Sequence, residues 1–514
     1  MTGSPPTALR PQHPVPRSLR GLADTFALEV HGELGDLEVT GVVLSSNTVR
    51  TGDLYVGVPG RNAHGAQYAA AAREAGAVAV LTDAAGAVLA ADSGLPVLVA
   101  DDARATLGDV AAWIHRTDEN PATLFAVTGT NGKTSVVYLL FGILRQLGVV
   151  AGLTSTAERR IGDEAVTSSL TTPEASELHA LLARMREVDV RAVGVEVSAQ
   201  ALSRHRVDGL VFDIAGFTNL THDHLDDYAS MEVYYEAKRD LFQPERARRG
   251  VVTVDSEWGR RLVEDARIPV TTLTTKPDVA ADWRLTVTDE QSTYTAFRLD
   301  GPEGRSIETR VPLLGWYMAA NAGLAIVMLV EAGYDLERIE AALGSDGIDA
   351  YIPGRAERIS GERGPTVYID YGHSPDAFLQ TLDAIRRTTA GRVIMVFGAD
   401  GDRDTTKRAD MGAIAARGAD ALVITDFHPR WEDPTEIRAA LIEGARAAVP
   451  DRELHEIADP RAAFRAALAL AGDGDSILYA GPGHEDYHEV KGVKIPYSAR
   501  DDARDALREA GWLA

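Results

Sequence analysis

Phe125-Ala-Val-Thr-Gly-Thr-Asn-Gly-Lys-Thr-Ser135 runs from an apolar strand, through a glycine-rich loop, into a helix that opens with Lys133 and Thr134. Glycines at 129 and 132 let backbone N–H groups turn inward around phosphate oxygens, and the helix N-terminus adds its partial positive charge. Lys133 can reach β- and γ-phosphates, and the Thr134 hydroxyl can hold Mg²⁺. A generic Walker A loop needs a glycine five residues before Gly132, but Val127 stands there. The loop is therefore a compact variant. The strand before it and the apolar run Val136-Val-Tyr-Leu-Leu-Phe-Gly-Ile-Leu144 after it argue against a chance Gly-Lys-Thr in a surface turn.

The rest of the chain bounds what such a loop can serve. At 514 residues it is too long for one core, and length suggests about three domains. With 45% hydrophobic and 25% charged residues the composition is that of a soluble globular protein. No apolar run is long enough to span a bilayer, so no membrane partner is expected. The net charge of −24 argues against a nucleic-acid binder, which needs a basic face. An anionic nucleotide must then be held locally, by Lys, Arg, Mg²⁺ and helix termini. No cysteine occurs; that rules out disulfides, Cys-ligated zinc and thiol catalysis, and fits a cytoplasmic location.

Pattern divides the chain into four stretches. Residues 1–24, basic and rich in proline without a signal-peptide core, read as a disordered lead-in. Residues 25–117 alternate short strands, such as Leu54-Tyr-Val-Gly-Val58 and Ala77-Val-Ala-Val-Leu81, with an alanine-rich helix at 69–75, predicting a small α/β domain. Polarity rises at Thr117-Asp-Glu-Asn-Pro121, which reads as a linker. Residues 118–350 carry βα units, an antiparallel insertion between 282 and 311, and an apolar helix over 317–332. Residues 351–514 alternate strand and helix, predicting a mostly parallel sheet with ligand groups at the carboxyl ends of its strands.

Glu196 ends an apolar strand, where a carboxylate beside a phosphate loop can hold Mg²⁺. His222 and His224 follow another buried strand in a polar turn; His222 reads as structural. Lys238 lies on an amphipathic helix, and its local pattern reads as a solvated lysine. Gly398-Ala-Asp-Gly-Asp-Arg-Asp404 lacks dinucleotide-fingerprint spacing, and with Lys407 and Arg408 it reads as a basic cluster that grips carboxylates.

Ten segments, in order and spacing, resemble the Mur ligases, ATP-dependent amide-bond ligases of peptidoglycan precursor synthesis. They are Thr128-Gly-Thr-Asn-Gly-Lys-Thr134, Leu170-Thr-Thr-Pro-Glu174, Glu196-Val-Ser198, Arg206-Val-Asp-Gly209, Phe217-Thr-Asn-Leu220 with Asp223-His-Leu-Asp226, Tyr235-Glu-Ala-Lys238, Gly354-Arg355, Asp370-Tyr371 with His373, Gly401-Asp-Arg-Asp404 and Gly483-His-Glu485. The pattern is most similar to the MurE type, which adds the third amino acid to UDP-N-acetylmuramoyl-L-alanyl-D-glutamate. The resemblance implies an α/β protein of three domains: an N-terminal UDP-binding domain, a central P-loop ATPase and a C-terminal Rossmann-like domain. It also implies residue roles. ATP would meet Gly129, Thr130, Asn131, Gly132, Lys133, Thr134, Asn321, Arg355 and Asp370. Lys133, Glu196, His224 and Lys238 would be catalytic, with Thr134, Glu196, His224 and a carbamylated Lys238 holding two Mg²⁺. The UDP-sugar peptide would meet Ser46, Thr171, Thr172, Ser198 and Arg206, and the incoming amino acid Arg403, His428, Arg430, Gly481 and Glu485. A monomer is expected.

This chain departs from the family pattern at both substrate ends. The usual Asp-Ser-Arg of the UDP site reads Ser45-Ser46-Asn47, and the usual Ser-Ser-His reads Ser198-Ala-Gln200. The diaminopimelate-type Asp-Asn-Pro-Arg is Phe427-His-Pro-Arg430, and Gly-Lys-Gly-His-Glu is Gly481-Pro-Gly-His-Glu485. Three alternatives stand: a housekeeping ligase adding diaminopimelate or lysine, a paralogue joining another carboxylate and amine, and a silent nucleotide-binding scaffold. The intact set Lys133, Thr134, Glu196, His224 and Lys238 speaks against the last.

Overall fold

The computed structural model describes residues 9–60 and 62–513. Three sheets organise them. The first has five strands in the order Glu29–His31, Val97–Val99, Ala79–Thr82, Asp53–Gly57, Gly41–Val43. All its neighbours pair parallel except the outermost, Glu29–His31, which runs antiparallel to Val97–Val99. Helix Ala103–His115 covers it, its first turn capped by the Asp102 carboxylate, which accepts from the N–H groups of Arg104 and Ala105.

The second sheet has eleven strands. At its centre Thr123–Thr128 lies parallel between Ala192–Glu196 and Phe212–Phe217. These strands are mostly apolar, as strands covered by helices on both faces are. Lys133–Gln146 and Trp316–Glu331 contribute to one apolar cluster, Ala175–Glu187 and Met231–Arg239 to the other. The antiparallel residues expected between 282 and 311 are strands Trp283–Glu290, Thr295–Asp300 and Ser306–Val311, which extend this same sheet at one edge.

The third sheet orders Glu357–Arg358, Thr366–Asp370, Ser476–Ala480, Val393–Phe397, Ala421–Ile424 and Glu453–Glu456, parallel except for the first. A hairpin, Tyr487–Val490 with Val493–Pro496, follows it. Among the described residues no helix is long and apolar enough to cross a membrane.

The expectation of a disordered lead-in over 1–24 is corrected for residues 9–24; residues 1–8 lie outside the described residues. Leu9 is buried in the central domain's apolar cluster. Arg10 pairs with the buried Asp53, its Nη1 donating to Oδ2 at 2.9 Å. The N–H groups of Gln12 and His13 donate to the Glu187 carboxylate at 2.8 and 2.7 Å. Ser18 caps the helix Leu19–Thr25, whose Leu19 and Leu22 are buried. A proline-rich segment cannot build its own ladder, so its remaining N–H groups go to tertiary partners that no local pattern reveals.

Candidate active site between the central and C-terminal sheets

The carboxyl ends of the second and third sheets line one cavity of about 350 Å³. From the central side, Gly129 (φ +150°) and Gly132 (φ +91°) take conformations that L side chains rarely adopt. Space reinforces the choice: a Cβ at Gly129 would overlap the Thr218 hydroxyl, and one at Gly132 would lie 2.6 Å from Asn321 Oδ1. The next strand's end secures the loop. The Thr130 N–H donates to Asn219 O at 2.9 Å, the Asn131 N–H to Asn219 Oδ1 at 3.0 Å, and the Thr218 hydroxyl to Asn131 O at 2.6 Å.

Lys133 folds back over this loop and donates to Gly129 O at 3.1 Å and Thr130 O at 3.0 Å. Burial lowers its pKa, with Glu196 nearby acting in the opposite direction. Glu196 is a buried carboxylate ringed by donors. Thr134 Oγ1 donates to Oε2 at 3.1 Å, the Thr156 N–H to Oε2 at 2.8 Å, and the Thr156 hydroxyl to Oε1 at 3.1 Å. Thr156 is a residue the sequence reading missed; it lies forty positions from Glu196 and carries no motif of its own.

Lys238 corrects its local reading. It is not solvated but 1% exposed, behind the loop, where Nζ donates to Gly129 O at 2.8 Å and sits 4.5 Å from the Tyr234 ring centroid. Burial, and then the Lys133 charge, push its pKa far below that of an ordinary lysine. His224, in a left-handed conformation (φ +58°), is lowered to about 4 mainly by burial. Its ring lies with the Asp226 and Asp227 carboxylates so that all three offer ligand atoms within 4.8 Å of one another. His222 instead reaches Asp404 and Thr406 of the C-terminal domain.

Groups from the C-terminal domain close the other side. Arg355 Nη2 donates to Thr134 Oγ1 at 2.9 Å, and its guanidinium lies over the Tyr371 ring. Asp370 lines the cavity, but its oxygens accept from the N–H groups of Ala356 and Gly372, both at 2.7 Å, so it shapes the turn that aims Arg355. Asn131 Nδ2 donates across the gap to Asp376 at 3.0 Å. Lys407 and Asp223, each 7% exposed, form a buried cross-domain ion pair at 2.9 Å, which holds the Asp223 carboxyl well below the usual carboxylate range against its own desolvation. Arg408 pairs with Glu432. The carboxylate-gripping cluster foreseen around Lys407 and Arg408 thus grips the protein's own acids.

Thr172 Oγ1 donates to Glu196 O at 2.8 Å and accepts from the Ser198 N–H at 3.1 Å, while Ser198 caps the helix Ala199–Ser203. Thr171, Ser198 and Arg206 line the cavity. Arg206 is paired with Glu174, which also takes Arg104 of the N-terminal domain. On the opposite wall His428 Nε2–H donates to Glu485 at 2.5 Å, while its Nδ1 accepts from the Glu489 N–H at 2.9 Å. The backbone donor fixes that tautomer. Arg430 donates to Gly401 O at 2.8 Å and pairs with Asp400 and Glu489. Arg403 is half-exposed, 3.9 Å from Asp226.

Three of the expected substrate residues stand outside the lining: Thr172 is fully buried behind it, and Ser46 and Gly481 stand elsewhere. Ser46, on the short turn Ser46–Thr48 of the N-terminal domain, is not among the cavity's lining residues. Gly481 (φ +114°) lies behind the wall, where its N–H donates to Asp370 O.

Comparison with known proteins agrees with this architecture. The Mur ligase family catalytic domain matches residues 38–116, the Mur ligase middle domain 127–329, and the Mur ligase glutamate ligase domain 354–483. A UDP-N-acetylmuramyl-tripeptide synthetase of Leifsonia xyli is 73% identical over the full length of both chains. A UDP-N-acetylmuramoyl-L-alanyl-D-glutamate--2,6-diaminopimelate ligase of Streptomyces coelicolor is 44% identical, covering 97% of this chain and 98% of its own. A solved structure of a ligase of that same name superposes with a TM-score of 0.65 at 26% identity, over 97% of this chain and all of its own. Three domains and their order agree with these matches: the chain belongs to the Mur ligase family.

Proposed function

We propose that this protein is an ATP-dependent, ADP-forming ligase that joins an amino acid to the carboxylate of UDP-N-acetylmuramoyl-L-alanyl-D-glutamate in peptidoglycan synthesis. The acceptor would be of the diaminopimelate or lysine type, and the enzyme would work in the cytoplasm as a monomer. The observation that carries the reading is the meeting of the phosphate loop, the Glu196 carboxylate and Arg355 on one side of a cavity whose other wall bears His428, Arg430 and Glu485.

Phosphate oxygens on the loop would take the Lys133 ammonium from the carbonyls of Gly129 and Thr130, with Arg355 flanking the same group. Asn321, against Gly132, stands where adenine would approach. A substrate carboxylate oxygen then attacks the γ-phosphorus, ADP leaves and an acyl phosphate forms. An acceptor amine attacks the acyl carbon, loses a proton, and inorganic phosphate departs. Thr171, Thr172, Ser198 and Arg206 would place the dipeptide end; the uridine end, with Ser46, would extend outside the cavity. The contacts of Asn131 with Asp376 and Lys407 with Asp223 keep water from the acyl phosphate by holding the domains together.

The donor set fits Mg²⁺: Thr134 and Glu196 supply hard oxygen atoms, and His224 lies beside two further carboxylates. Bound there, Mg²⁺ neutralises charge on the phosphoryl oxygens. Lys238 fits carbamylation, since the neutral amine is the form that adds CO₂ and burial lowers this lysine's pKa; intact-protein mass at neutral pH, with and without bicarbonate, tests it.

A paralogue with an altered acceptor is the second reading, favoured by the His428–Glu485 bond, which replaces an amide by a ring donor at the acceptor wall. The decisive experiment supplies purified protein with ATP, Mg²⁺, UDP-N-acetylmuramoyl-L-alanyl-D-glutamate and an amino-acid panel that includes diaminopimelate and lysine. Phosphate release that requires both partners supports the ligase. Release with no amino acid of the panel sinks it.

A further inference from the structure

The loop Phe427–Arg430 that faces the acceptor is held by a segment sixty residues later in the chain. His428 (φ +23°) and Arg430 (φ +50°) both occupy the left-handed region without being glycine, a conformation that costs free energy unless the surroundings impose it. The surroundings here are the hairpin Tyr487–Pro496. The Arg430 N–H donates to Glu489 O at 3.0 Å, and the Lys491 N–H returns a bond to Arg430 O at 2.7 Å. Glu489 makes two more contacts. Its N–H donates to His428 Nδ1, and its carboxylate pairs with Arg430 Nε at 3.3 Å. Trp431, 70% exposed, lies against Gly492 at the hairpin turn.

One residue therefore orients the two side chains that this loop would offer the acceptor. The Glu489 carboxylate takes Nε of Arg430, Gly401 O takes Nη1, and Asp400 lies 3.1 Å from Nη2. A guanidinium carries five N–H donors, so at least one N–H on each terminal nitrogen remains and, since Arg430 lines the cavity, can serve an incoming carboxylate.

We propose that Glu489 is a positioning residue for the amino-acid acceptor: by holding Arg430 at Nε it leaves an N–H on each terminal nitrogen for the acceptor carboxylate. The proposal rests on the ligase reading above. Glu489 itself does not line the cavity and acts through Arg430.

The test uses full-length protein, UDP-N-acetylmuramoyl-L-alanyl-D-glutamate, ATP, Mg²⁺ and whichever panel amino acid supports phosphate release by the unaltered chain. Glu489→Gln, which keeps the shape and removes the charge, is expected to raise the acceptor KM by roughly ten-fold, with the ATP KM unchanged within about two-fold. Glu489→Asp, which keeps the charge on a shorter arm, is expected to fall between the two and serves as the second variant if the first folds poorly. An acceptor KM that stays level or falls in both variants overturns the proposal, as does an ATP KM that rises in parallel, which would mark a general structural defect. Absence of turnover by the unaltered chain instead overturns the ligase reading, and this proposal with it.

Discussion

The phosphate loop and the acceptor loop solve one problem in two ways. Each follows a buried parallel strand and each turns through left-handed backbone. Residues 129–132 do so with glycines, so the conformation costs little and is written locally. Residues 428 and 430 do so with histidine and arginine, held by Glu489, Lys491 and Gly401 from other parts of the domain. The first loop would bind its proposed ligand through its own backbone and can be read from a few consecutive residues. The second presents side chains whose aim depends on a distant hairpin, and it is there that this chain leaves its family's pattern.

Lys133→Ala gives the largest expected effect, since it removes the loop's own cation: ATP-dependent phosphate release should fall by about a thousand-fold or more with the melting temperature little changed. Activity within a few-fold of the original would break the assignment of the loop as the phosphate-transfer half. Asp223→Asn comes next. It leaves the buried Lys407 ammonium unpaired between domains, and a loss of about 3 kcal/mol is expected in denaturant unfolding. A change below about 0.5 kcal/mol would show that this pair does not join the two halves of the site.

On the acceptor side, His428→Asn restores the family's amide but removes the ring donor to Glu485. We expect about a ten-fold change in the ratio of kcat/KM values for two competing amino acids, with the ATP KM unaltered. Equal ratios before and after would remove the acceptor loop from specificity. Gly481→Ala should be the mildest of these: φ is +114°, yet a Cβ would meet Phe427 only at ordinary contact of 3.7 Å. A cost of about 1 kcal/mol, read as a drop in melting temperature, is expected, and a loss several times larger would show that this turn is as constrained as the phosphate loop.

pH tests the burial of four histidines, one of which, His488, lies beside His428 of the acceptor loop. Burial lowers His115 and His484 to about 3, and His179 and His488 to about 4. These groups stay neutral in the folded protein while the unfolded chain takes up protons below about 6.5. Their contribution to stability is complete above that pH and declines as pH falls toward the folded values. Melting temperature should therefore drop between about pH 7.5 and about pH 5, and a flat profile would contradict the burial of these rings.

Much of the architecture was legible because it is periodic. Apolar strand runs, the helix over 317–332 and the antiparallel residues between 282 and 311 are all found, and Trp316–Glu331 differs from its expected span by one residue at each end. The site was partly legible. Lys133, Thr134 and Glu196 stand on strand ends and helix starts, where a local motif has a local geometry. Lys238 was not, since an amphipathic helix carries no sign of which face will be sealed by a loop a hundred residues earlier. Thr156 and the Asp223–Lys407 pair were also missed as contacts, because each joins residues on different strands or domains. The stretch 9–18 was misread for the converse reason: its order comes from partners distant in the chain, among them Asp53, Glu187, Trp113 and the strand Glu38–Val39.

What the residues alone determined is the phosphate-loop end of the cavity as a local geometry: glycines at 129 and 132, a lysine and a threonine opening a helix, and a carboxylate ending the neighbouring strand, all set by short-range backbone geometry. What only the tertiary structure decided is the acceptor end. Which nitrogen of His428 carries the proton, which donors of Arg430 remain for a ligand, and how closely the domains meet at Lys407 all depend on side chains that converge from separate sheets. Such convergence has no period and no fixed spacing in the chain, because burial and hydrogen bonding act through space.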